Sequence, residues 1–121
     1  MRDYHRLEIW RRAHALATAI HEAARALRGS QFATLRSQLT RAADSVPATI
    51  VEGCGAATTK EFARYLDMSI KSASETEYHL LSARDRRVLA NGRWRTLSGE
   101  VVEIRRMTYA YRKKLLEDTK G

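Results

Sequence analysis

The sequence predicts an all-α protein: an up-down-up-down antiparallel four-helix bundle that forms a single domain over residues 1–121. Three observations predict it. Apolar residues recur at spacings of three and four along four successive stretches, the period of a helix with one buried face. The composition is rich in Ala, Arg, Leu and Glu, with one proline, and this favours helix. Short turn-like segments join the stretches, none of which alternates apolar and polar residues as a strand would.

The first helix is expected over about residues 7–28, with Ile9, Ala13, Leu16, Ile20, Ala23 and Leu27 along its seam. Gly29 follows as a C-cap and Ser30 as the N-cap of the next helix. The second is expected over about residues 32–54, with Leu35, Leu39, Val46 and Ile50 facing inward. Pro47 falls inside it and removes a backbone donor. The apolar register continues through Val46, Ile50 and Val51, which favours one kinked helix over two helices broken at Ser45-Val46. The third is expected over about residues 58–90, capped by Thr58 or Thr59 and closed by Asn91-Gly92. Phe62, Leu66, Ser69, Ala73, Thr76, Leu80 and Ala83 form its seam. The fourth is expected over about residues 94–117, with Leu97, Val101, Ile104, Thr108, Tyr111 and Leu115 facing inward and a frayed end through Gly121.

Charge is the main clue to partners. The chain carries a net +8 and a pI near 10.1, a balance that favours polyanions, above all nucleic acid. By segment the charge is +3 for Met1–Arg28, 0 for the second helix, +1 for the third through Gly92 and +4 for Arg93–Gly121. The first and last helices are therefore expected to share a basic outer surface, and the neutral second helix to be the most enclosed. Arg84, Arg86, Arg87, Arg93 and Arg95 flank the third connection with Trp94 among them, an arrangement suited to phosphate contact and base stacking. The same residues also suit a solvated helix end, where cations offset the dipole. Arg105, Arg106, Arg112, Lys113 and Lys114 add a second basic stripe on the last helix.

Catalytic and metal chemistry find little support. His14 and His21 stand seven residues apart, about 10 Å along a helix, too far to share a metal without another helix. His79 follows Glu75 by four and Glu77 by two, so the Glu-x-x-His pair of di-metal bundles is absent. The histidines are expected at bundle edges. Cys54 lies between two glycines with no histidine nearby, which suits packing rather than nucleophilic chemistry. No catalytic residue, metal or cofactor is expected. No apolar run reaches membrane-spanning length, and the charged start MRDYHRLEIW does not resemble a signal peptide. A cytoplasmic location is expected, and one cysteine fits a reducing compartment. Antiparallel pairing of the second and third helices about Ala56 brings Arg41 within a turn of Glu75, so an Arg–carboxylate pair is expected there, fixing register. The same arithmetic sets Glu52 near Lys60 and Arg64.

Arg41-Ala42-Ala43, Ser45-x-Pro47, Ile50-x-Glu52-Gly53, Glu61-Phe62 and Ser72 with Glu75 form a pattern that resembles a bacterial four-helix-bundle family first noticed as reading frames within intervening sequences of large-subunit ribosomal RNA genes. The resemblance covers nearly the whole chain and is strongest from Leu35 to Asp85. Ala48-Thr49 stands where that family commonly has Ser-Asn, and Ala56 where it commonly has arginine, so no role of that amide or guanidinium carries over. The resemblance implies a homopentamer around a central channel. It assigns Arg41, Ser45, Pro47, Glu52, Gly53, Phe62 and Glu75 a structural part. A distant relative, the accessory protein of diversity-generating retroelements, binds a reverse transcriptase and nucleic acid through a basic surface. Residues and resemblance together predict a non-enzymatic, oligomeric protein that binds RNA or a ribonucleoprotein. The alternative is a scaffold for another protein, such as a nucleic-acid-processing enzyme.

Overall fold

The computed structural model describes residues 2–120, the last of them by its backbone alone. A 3-10 turn at Tyr4–Arg6 leads into α1 (Glu8–Ala24), and a second at Ser30–Phe32 leads into α2 (Ala33–Cys54). These are followed by α3 (Thr59–Asp85) and α4 (Asn91–Lys120). Among the described residues there is no strand and no helix long and apolar enough to cross a membrane. Each helix packs on two others: α1 on α2, α2 on α3, α3 on α4, and α4 back on α1, which is the thinnest seam.

The seams expected from periodicity form the core. Ile9, Leu16, Ile20, Leu39, Val46, Ile50, Phe62, Leu66, Leu80, Val101 and Ile104 are all buried, each such side chain contributing about 1.5–3 kcal/mol. Three buried hydroxyls are satisfied in place. Ser69 Oγ donates to the Val46 carbonyl at 2.9 Å, and Thr76 and Thr108 donate to carbonyls one turn back. Cross-helix pairs between α2 and α3 and between α3 and α4 include Val46 with Ser69, Ser45 with Ser72 (2.9 Å), Glu77 with Arg105 and Asp67 with Arg112.

α2 runs unbroken through Pro47, which is buried inside it. The helix boundaries differ from the sequence expectation in three places. α1 stops at Ala24 rather than Arg28, because Ala26 and Leu27 bond back to carbonyls three residues earlier, tightening the chain out of the α-helix. Leu27 still reaches the core, and its carbonyl accepts from the Arg36 guanidinium. Gly29, at φ +95°, makes the reversal itself. Ser30 caps nothing, since Phe32 precedes α2 without a side-chain cap.

α3 ends at Asp85, not Ala90, and Asn91-Gly92 opens α4 rather than closing α3. The Arg87 N–H bonds the Arg84 carbonyl and the Val88 N–H the Ala83 carbonyl, the paired bonds of a Schellman motif. Arg87, at φ +64°, takes the left-handed position that glycine usually fills. α4 continues helically to Lys120, past the expected end at 117 and through residues expected to fray; Gly121 lies outside the described residues. At the other end of α3, Thr58 Oγ1 accepts from the Glu61 N–H at 3.1 Å, as its cap position predicted.

Candidate nucleic-acid interface

The connection after α1 and the connection after α3 meet at one end of the bundle, where the Arg86 guanidinium lies 5.3 Å from the centre of the Phe32 ring. Residues 25–36 and 84–95 bring eight arginines to this pole: Arg25, Arg28, Arg36, Arg84, Arg86, Arg87, Arg93 and Arg95. Asp85 is the one acid in those two segments, so they hold seven of the chain's eight net positive charges. Two of the arginines are paired, Arg25 with Glu22 at 3.4 Å and Arg84 with Asp85 at 2.8 Å. Arg86, Arg87, Arg93 and Arg95 are exposed, with no acid within 4.0 Å among the described residues.

The C-termini of α1 and α3 lie at this pole with the N-termini of α2 and α4, so the helix dipoles largely balance across it. Neither α2 nor α4 has an acid in its first turn, and α2 lacks a side-chain cap. Only in the first turn of each does the dipole locally reinforce a nearby arginine's attraction for an anion.

Trp94 does not stand free among these guanidinium groups. Arg84 lies 4.1 Å above its ring while bonding Asp85 through Nε and Nη2, and the indole N–H is buried without a partner. One ring face is thus already covered by a cation, and Arg84 and Trp94 close on each other instead of on a base.

The expected stripe on α4 divides. Arg105 bonds Glu77 at 2.7 Å, Arg106 bonds Glu103 at 2.6 Å, and Arg112 pairs with Asp67 at 2.6 Å. Lys113 and Lys114 stay exposed. Between α1 and α4, Arg12 holds Glu100 through two guanidinium nitrogens, at 3.0 and 2.6 Å. The basic outer surface expected for those two helices is therefore partly neutralised along the body, where acids offset most of the cations, and the net positive charge concentrates at the pole. Arg25, Arg28 and Arg36 carry no sequence motif that marks them; they join the cluster because the first and third connections meet where Arg86 covers Phe32.

The motif positions lie away from the pole. Arg41, Ser45 and Glu75 line a cleft of about 340 Å³ between α2 and α3, as the register arithmetic required, but the expected Arg41–Glu75 pair does not form. Arg41 points outward, and Glu75 meets His79 at 3.3 Å, one turn along its own helix. Glu52 is exposed and has no ion pair among the described residues. Gly53 and Phe62 are buried against each other.

His79, expected at a bundle edge, is buried. His5 and His21 are exposed and meet Asp3 and Asp44 at 2.8 and 2.9 Å. Among the described residues no group of three or more His, Cys, Asp or Glu could hold a metal. Cys54 is buried, and burial pushes its thiol above the ordinary value.

The fold has a solved counterpart. A protein of unknown function from the S23 ribosomal protein family of Bacteroides thetaiotaomicron matches with a TM-score of 0.81 at 22% identity, over 87% of this chain and 98% of that one. No curated protein matches the sequence. The model of the 23S rRNA-intervening sequence protein family matches residues 5–110, and the chain belongs to that family.

Proposed function

We propose that this protein is a non-enzymatic, oligomeric bundle that binds RNA, with the arginine pole as its phosphate-contacting surface. The observation that carries the reading is the position of Arg93 and Arg95. Both lie in the opening turns of α4 with no acid beside them, and Arg93, in the first turn, opposes the helix dipole. Helix-end compensation accounts for Arg84 and Arg86 beside the C-terminus of α3, but it argues against Arg93 and does not account for Arg95. A polyanion reverses the sign of that argument, because phosphates are favoured by the arginines and by the helix N-terminus together.

The single domain is read as an up-down-up-down antiparallel bundle. The support is the paired register of Ser45 with Ser72 and Val46 with Ser69, and of Glu77 and Asp67 with Arg105 and Arg112. The homopentamer is taken from the family resemblance, and the cytoplasmic setting from the single cysteine, which fits a reducing compartment. The non-enzymatic reading is supported by the histidines, three of which meet a single carboxylate each.

A binding titration against structured RNA over a range of salt tests the function. The affinity should fall steeply with salt, and replacing Arg86, Arg87, Arg93 and Arg95 by glutamine should lower the log–log slope by about 0.7–0.9 for each phosphate that is no longer neutralised. No binding at low salt, or binding indifferent to salt, would refute it.

A groove between α1 and α2 favours the second reading, a scaffold for a protein such as a nucleic-acid-processing enzyme. It encloses about 430 Å³, and Trp10, His14, Pro47 and Val51 are among its lining residues. A protein complex that survives nuclease and high salt, and is abolished by Trp10→Ala, would favour that reading.

A further inference from the structure

Arg95, Val102, Arg106, Tyr109 and Lys113 follow one another along α4 at intervals of seven, four, three and four residues, which on a helix is one straight stripe. All five are exposed, opposite the buried Val101, Ile104, Thr108 and Leu115. A solvated helix face is ordinarily polar throughout. Here Val102 is 41% and Tyr109 60% exposed, interleaved with cations. Among the described residues Tyr109 has neither a ring partner nor a cation over its face. Tyr78, 63% exposed, follows Glu77, which Arg105 of α4 grips, at the same level of the bundle as the stripe. Its ring neighbour is His79, tilted and 5.6 Å away.

The pattern selects its occupant. A partner helix needs an unbroken apolar seam recurring every three or four residues, but Gly99, Glu103 and Arg106 interrupt this one. A polyanion with flat apolar faces fits better, its phosphates meeting Arg95, Arg106 and Lys113 and its bases lying on the tyrosines. The Arg106–Glu103 pair is largely open to solvent on the arginine side, so it yields to a phosphate at little cost. Arg95 belongs to the pole as well, which makes the stripe continuous with it. From there to Lys113 the stripe runs about 27 Å along the helix, room for several nucleotides.

We propose that the outer stripe of α4 is a track for unpaired nucleotides leaving the arginine pole. Trp94 and Phe32, each with a face under an arginine, hold the pole together, and Tyr109 and Tyr78 supply the stacking surfaces. The proposal rests on the RNA-binding reading above and narrows it to RNA that joins a structured part to a single-stranded tail.

The test measures affinity of the full chain for a short blunt RNA duplex and for the same duplex bearing an oligouridine tail. The tail should tighten binding roughly ten-fold or more. Tyr109→Ala should remove most of that gain without weakening the blunt duplex, while Tyr109→Phe keeps it. Equal binding of both RNAs, with Tyr109→Ala neutral on each, overturns the track and leaves the pole standing. Failure of both RNAs to bind at low salt sinks the pole and the track with it. Unchanged RNA affinity with loss of self-association in Tyr109→Ala would make the stripe a protein contact and overturn the proposal as well.

Discussion

Gly53→Ala probes the closest approach between α2 and α3. A Cβ at residue 53 would lie 2.7 Å from Phe62 Cδ1 and 2.9 Å from Tyr65 Cβ. Neither neighbour can retreat easily. Tyr65 Cβ is fixed to the backbone of α3, and the Phe62 ring is held between Tyr111, edge-on at 6.1 Å, and the Arg2 guanidinium at 5.3 Å. The two helices must therefore part, at a cost of about 1–3 kcal/mol for such overpacking. Alanine returns up to about 1 kcal/mol of helix propensity, and less here because Gly53 is one residue from the end of α2. The net loss should be about 1–2 kcal/mol, a fall of roughly 4–8 °C in thermal midpoint for a chain of this size. Gly99→Ala is the control, since a Cβ there meets nothing within 4 Å and the site is inside α4; it should gain about 0.5–1 kcal/mol. Melting both variants by circular dichroism decides the matter. A Gly53→Ala protein as stable as Gly99→Ala would mean that the helices are not packed this closely at residue 53.

Arg87→Gly should stabilise the protein by about 1 kcal/mol in urea titration, because φ +64° strains any side-chain-bearing residue and suits glycine; an unchanged or lower midpoint would refute the Schellman geometry. Burial pushes the Cys54 thiol above 9.0 and the Tyr111 hydroxyl above 10.0, so the fold keeps protons that the unfolded chain gives up. Their contribution is whole below about pH 9 and is lost as the pH rises through the folded values. Urea midpoints should therefore hold to about pH 9 and fall above it, whereas a decline that is complete by pH 8.5 would contradict the burial of both groups.

Most of the fold was legible because burial follows period. The seams of α1 to α4 are the residues that recur every three and four, and the register carried across Pro47 because Val46 and Ile50 both had to face inward. Connections were harder. Glycine marks the left-handed position in sequence, so Asn91-Gly92 drew the end of α3 toward itself, while the turn was made by Arg87, a residue with no such signature. The first helix was overextended for a related reason: Leu27 is buried and in phase, but it reaches the core from a tightened turn. Arg41 and Glu75 show where register arithmetic stops. It fixes how far along a helix two residues lie, and both do line one cleft, but the rotation of each helix and the competing His79 decide who pairs with whom. Trp94 depended on its approach to Arg84 across a turn, ten residues earlier, which no helical period encodes. The division of the α4 cations into paired and free was equally hidden, since it depends on Glu77 and Asp67 facing them from α3.

That division offers a way to separate function from stability. Along the body, Arg12, Arg105 and Arg112 are matched by carboxylates on neighbouring helices; at the pole the acids run out, and Arg93 stands against the dipole of the helix that carries it. Exchanging both Arg93 and Arg95 in an Arg93→Glu, Arg95→Glu variant reverses the local electrostatics, because an acid in the first turn of a helix, at residue 93, is favoured by about 0.3–1 kcal/mol, with less at residue 95. The variant should therefore melt slightly higher than the parent. Its affinity for RNA should fall, and the dependence on salt should become shallower, by about 0.7–0.9 in slope for each phosphate left without its arginine. Opposite movement of the two quantities is what a binding surface maintained at the expense of the fold would produce. A joint fall in stability and affinity would instead make the arginines part of the scaffold. A gain in stability with affinity and salt slope untouched would move the RNA elsewhere on the molecule, and with it the reason for gathering seven net charges at one end of a bundle whose body is otherwise close to neutral.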